Sequence, residues 1–145
     1  MDPDGSSELA ASGLQRIIAD TFVLRFRTEF LLWNAVGDTP DRTHLLRSLI
    51  SLLNYLLEIA AVRLKIVGGS PPEGLERLRK LASFGDTAGV GDLRDLALGY
   101  AVAATDFQRL ATIVRANGDE VTAHMLLSQV GRLEEAAYRV ARAVE

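Results

Sequence analysis

An apolar pattern with the period of a helix runs through most of this chain and is interrupted at only a few places, which leaves little room for any fold but a bundle of helices. Leu14, Ile17, Ile18, Phe22, Leu24, Phe26, Phe30, Leu31 and Trp33 recur mostly three and four apart, giving one broad apolar face to a helix from about Ser7 to Ala35. Val36-Gly37-Asp38-Thr39-Pro40 then breaks the pattern and restarts it, since Thr39 is placed to cap and Pro40 has a φ suited to the first helical position. The second helix reaches Val67, where Gly68-Gly69-Ser70-Pro71-Pro72 ends it. Leu75, Leu78, Leu81 and Ala82 suggest a short helix inside a connector. Asp92 and Asp95 are spaced to cap a third long helix that ends at Ala116, before Asn117-Gly118. Asp119 caps a last helix carrying Val121, Met125, Leu126, Val130, Leu133, Ala137, Val140 and Val144.

Short loops make sequential helices antiparallel neighbours, so the layout is two hairpins, 7–67 and 92–145, joined by a long connector. This is an all-α, ferritin-like four-helix bundle with a long crossover carrying a short helix between helices 2 and 3. A chain of 145 residues makes one such unit, with residues 14–145 as the bundle and 1–13 as a flexible N-terminal tail. The absence of cysteine excludes disulfides, thiolate-held zinc, iron–sulfur clusters and thiol nucleophiles. A net charge of −3 provides no global positive field to draw in nucleic acid. Residues 1–13 lack the basic flank and apolar core of a leader, so the expected location is cytoplasmic.

Helix two is unlike the others. Between Ser48 and Val62 its single charge is Glu58, and its apolar residues cover more than one face. Arg47, Asn54, Glu58, Arg63 and Lys65 interrupt Leu45–Val67, which therefore reads as a covered helix and not as a membrane span. One side packs in its own bundle. The other is expected to meet a second copy across a two-fold, which makes the protein a homo-oligomer.

Two motifs on these helices are similar to those of a known family. Thr28-Glu-Phe-Leu-Leu32-Trp33-Asn34-Ala-Val-Gly37 resembles the T-x-x-x-H-W-N-x-x-G signature of the Dps proteins, or mini-ferritins, with Leu32 in place of the histidine. His44 follows Leu32 by twelve residues, as the family's second motif histidine follows its first. Glu58-Ile-Ala-Ala-Val62-Arg63-Leu-Lys-Ile-Val-Gly68-Gly69-Ser-Pro71 resembles D-x-x-A-E-R-x-x-x-x-G-G-x-P, with Glu for Asp and Val62 for Glu, and with one residue fewer between His44 and Glu58. The resemblance covers nearly the whole chain. It implies a dodecameric cage that takes up ferrous iron, oxidises it with peroxide, stores the ferric mineral and protects DNA during stress. It also implies a ferroxidase site on the two-fold at Leu32, His44, Glu58 and Val62. Only His44 and Glu58 of these four can hold a metal, so the expected iron site is incomplete and enzymatic oxidation is open. The alternative is a non-catalytic ferritin-like module that has lost iron oxidation.

Spacing gives separate support for a shared site. His44 and Glu58 lie on nearly one helix face but about 21 Å apart along the axis, so a single chain cannot unite them. An antiparallel partner helix crossing near Ser51 would. A bland reading stands beside each candidate. His44 can be a surface histidine, and Glu58 can pair with Arg47 or His44 of a second copy, or with Asn54. Trp33 reads as a core or interface anchor. His124 has no second ligand one turn away. Glu134, Glu135, Asp92 and Asp95 read as solvated faces or caps before they read as cavity linings. Arg77, Arg79 and Lys80 form the one local basic patch, and the tail offers no Lys or Arg for DNA.

Overall fold

The computed structural model describes residues 6–35, 37, 39–83 and 91–144. Five helices occupy these residues: α1 (Ser6–Asn34), α2 (Pro40–Ile66), α3 (Gly74–Leu81), α4 (Leu93–Ala116) and α5 (Glu120–Val144). No strand occurs among the described residues. α1 pairs with α2 and α4 with α5, each pair antiparallel, while α4 packs on α1, α5 on α2 and α3 on α1. The four long helices form a four-helix bundle, and α3 lies on the connection between its second and third members.

Each long helix turns one stripe inward. On α2 this stripe is Leu46, Leu49, Leu53, Leu56, Ala60 and Leu64, with intervals of three and four that keep it on one side. It meets Leu14, Ile17, Ile18 and Leu24 of α1, Leu96, Tyr100, Phe107 and Val114 of α4, and Leu126, Leu133 and Val140 of α5 in one continuous core. Burying each large aliphatic side chain contributes about 1.5–3 kcal/mol before ordering costs.

Several helix ends follow local chemistry. The Asp92 carboxylate accepts the Arg94 and Asp95 backbone N–H groups at 2.9 and 3.0 Å, and Asp95 reciprocates to the Asp92 N–H, completing a capping box. Gly68 and Gly118 adopt φ of 95° and 90°, which lets the next N–H reach back to Leu64 and Val114 and close α2 and α4. Neither Glu73 before α3 nor Thr39 before α2 makes a side-chain capping bond, and Pro40 starts α2 without one.

α1 begins at Ser6, beside the Ser7 start that the spacing predicts, and buries Ala10 completely, so the helix takes in residues 6–13 of the segment read as a tail. Residues 1–5 of that tail lie outside the described residues, as do residues 84–90 of the connector. α2 is the one described helix long and apolar enough to cross a membrane, at a mean hydropathy of 1.6. Its Leu46–Leu64 stripe is instead taken up by the bundle, while most of that apolar window remains uncovered within the single chain.

Candidate functional site

The uncovered side of α2 carries both predicted ligands. Glu58 lies in a shallow groove of about 340 Å³ between the C-terminal half of α2 and the start of α5, with Tyr55, Ile59, Val62, Arg63, Ile66 and Met125. Its carboxylate is exposed in the single chain, so it bears none of the burial cost that its apolar sequence neighbours suggest. Arg63 is directed away from it: Nε donates to the Thr122 hydroxyl at 2.9 Å and the guanidinium pairs with Asp119 at 3.4 Å. The same Asp119 carboxylate accepts the Thr122 N–H at 3.0 Å and so caps α5. Arg132 of α5 stands 5.5 Å from the centre of the Tyr55 ring, within cation–π range.

His44 is also exposed and lies near the other end of α2, in a recess with Asp41, Ser48, Tyr138, Arg139 and Arg142. It and Glu58 line separate depressions, and one chain does not bring them together. Leu32 is half-buried against the core and Val62 is 54% exposed. Trp33 is not a core anchor: it is 59% exposed, on the same side of α1 as Phe26 and Phe30. His124, Glu134 and Glu135 are exposed, and Glu135 pairs with Arg139. In the basic patch, Arg79 and Lys80 are exposed and both approach Glu76.

No group of three or more His, Cys, Asp or Glu side chains that could hold a metal occurs among the described residues. Within one chain the donors therefore do not fit a dinuclear iron centre, which needs several carboxylate or imidazole ligands and a bridge.

The bundle also holds polar groups that sequence periodicity does not reveal. Asp20, buried on α1, accepts both the backbone N–H and the hydroxyl of Ser83 in the connector, the latter at 2.9 Å. Burial raises the Asp20 carboxyl above its ordinary value, against the Ser83 hydrogen bonds, and the nearby Asp106 raises it further. Asp106 on α4 is likewise pushed up by burial, with Arg109 and Arg16 opposing. Thr28 donates to the Leu24 carbonyl and shares a 3.0 Å hydrogen bond with the fully buried Tyr100 hydroxyl. The available signal was a set of polar residues, Asp20, Thr21, Arg27 and Thr28, set into an otherwise apolar helix.

No protein-family model matches the sequence, and no curated protein matches it closely enough to count as a relative. Solved structures match well. Dps from Thermosynechococcus elongatus superimposes with a TM-score of 0.86 at 17% identity, covering 98% of this chain and 96% of that one. DpsC from Streptomyces coelicolor gives 0.85 at 23%, covering 97% and 86%. A Vibrio cholerae O1 Dps, described as a member of a broad superfamily of ferritin-like diiron-carboxylate proteins, gives 0.83 at 16%, covering 97% and 91%. Helix order, pairing and the short helix between the second and third long helices all follow this pattern, and the chain has the Dps fold.

Proposed function

We propose that this protein is a Dps-like subunit of a homo-oligomeric, dodecameric cage that sequesters iron in stressed cells, with a degraded ferroxidase site. The observation that carries the proposal is the uncovered side of α2, which presents His44 and Glu58 amid apolar surface that a second copy would cover. An antiparallel partner crossing near Ser51 sets His44 of one subunit beside Glu58 of the other, twice per dimer. The imidazole nitrogen and the carboxylate are suitable donors for ferrous iron as substrate, with water filling the remaining positions. Leu32 and Val62 donate nothing, so affinity falls and no carboxylate bridges a second metal. The setting is cytoplasmic, and the tail gives no route to DNA.

The alternative is a non-catalytic ferritin-like module that has lost iron oxidation: leucine and valine stand at two of the positions where the resemblance places ligands. These fit a non-catalytic module whose interface is drier than a metal site, since apolar pairs replace buried charge at little or no cost in stability.

Ferrous oxidation by the purified protein, with peroxide and with oxygen, separates the two. The first reading expects oxidation faster than buffer, iron co-eluting with the particle on gel filtration, and loss of both in His44→Ala and Glu58→Ala. Oxidation at the buffer rate in an intact particle would leave the second.

A further inference from the structure

The first half of α1 and the second half of α4 leave a cavity between them, beside the point where Asp20 holds the connector. We propose that this cavity binds a small zwitterion, an α-amino acid with an apolar side chain, whose ammonium group meets Asp20 and Asp106 and whose carboxylate meets Arg16 and Arg109. The proposal rests on no part of the function proposed above.

Helical spacing assembles the site. Ser12, Arg16 and Asp20 are four apart on one face of α1, and Asp106, Arg109 and Ile113 are three and four apart on α4, so each helix brings one acidic and one basic side chain to the seam. Leu110 lies so close to Gly13 that a Cβ there would overlap it, which brings the two helices together at this level. The cavity beside this contact has a volume of about 350 Å³, within the range of small-ligand pockets.

The charges are graded by depth. Asp20 is buried and the Asp106 side chain is 29% exposed, whereas Arg16 is exposed and the Arg109 side chain is 70% exposed. Burial pushes both carboxyls above their ordinary value. Asp106 accepts no hydrogen bond among the described residues, and its nearest cation, Arg109, stands 3.7 Å away. Arg16 makes no ion pair or hydrogen bond among these residues either. A simple anion in the cavity would be repelled by the two carboxylates, and a simple cation by the two guanidinium groups. A ligand carrying both charges satisfies both layers: the inner carboxylates gain a charged donor, and the outer guanidinium groups gain the planar acceptor that suits their donor fork. An α-amino acid bears its two charges on one carbon, which matches an acid and a base as close as Asp106 and Arg109. Leu9 and Ile113, 44% and 42% exposed on the same cavity, supply hydrocarbon for the ligand's side chain.

Leucine, isocaproate and isoamylamine share one hydrocarbon skeleton and carry both charges, the carboxylate alone and the ammonium alone. Each is titrated into the intact protein by calorimetry at neutral pH. The proposal expects saturable binding of leucine, with either analogue weaker by about tenfold or more because one charged contact is missing. Arg16→Gln, at an exposed position that the fold does not depend on, and Asp106→Asn should each weaken leucine by a similar factor while circular dichroism is unchanged. Isoamylamine binding as tightly as leucine would reduce the cavity to a cation site, and isocaproate doing so would reduce it to an anion site; either overturns the inference. Glycine binding as tightly as leucine overturns the part given to Leu9 and Ile113. No saturable binding of leucine or phenylalanine leaves an ordinary solvent groove and overturns the whole.

Discussion

Asp20 shows how one residue ties the connector to the bundle. Its carboxylate holds Ser83 by two hydrogen bonds, yet burial makes its charge unfavourable. A carboxyl whose folded-state value is raised binds protons more tightly folded than unfolded. Its stabilising contribution is therefore complete below the unfolded value near 3.8 and is lost as pH rises through the raised folded value. Asp106 acts in the same direction. Asp20→Asn keeps an acceptor for the Ser83 N–H and removes the titration. Urea unfolding at about pH 4 and pH 7 should show the variant gaining on the native chain at the higher pH. Parallel stabilities at both values would mean that Asp20 is not desolvated. The tie itself was invisible in the sequence, because sixty-three residues separate the partners and no period relates them.

At the scale of the element, the caps were legible wherever a side chain reaches only its own helix. Asp92 with Asp95, and Asp119, stand at the starts that their spacing indicates. Thr39 makes no side-chain capping bond, although Pro40 supplies the φ of the first helical position. Asp119 does more than cap, because it also holds Arg63 and so joins α5 to α2. Asp119→Ala should cost about 1–2 kcal/mol by chemical denaturation, while Asp119→Asn should recover the cap but not the ion pair. Equal losses in the two variants would place the whole effect in the contact with Arg63. α1 illustrates the limit of periodicity: Phe26, Phe30 and Trp33 have core composition and helical spacing, yet they face outward. Whether such a face is covered by its own chain or by another depends on where the neighbouring helices end.

For the whole molecule, the uncovered side of α2 and the aromatic end of α1 leave Phe26, Phe30, Trp33, Tyr55, Val62 and Ile66 exposed, side chains that an interface between copies would cover. Native mass spectrometry should find an even multiple of the 15.7 kDa chain, twelve for the complete cage. The thermal midpoint should rise with protein concentration, as mass action requires when folding and assembly are linked. A concentration-independent midpoint with monomer mass would remove the basis for the cage.

While the structure picked out which of the apolar faces of α2 turns inward, the residues alone determined the number of long helices, their approximate ends, the two hairpins and the long crossover. These follow from period, turn chemistry and the need to bury one face, all of which act over a few residues. They also marked His44 and Glu58 as the donors on α2, and Leu32 and Val62 as positions that cannot donate. Only the tertiary structure decided that Glu58 is exposed, that Arg63 turns to Asp119 and that Trp33 leaves the core. Those outcomes depend on which helix lies beside which, a relation between distant segments that no local pattern encodes.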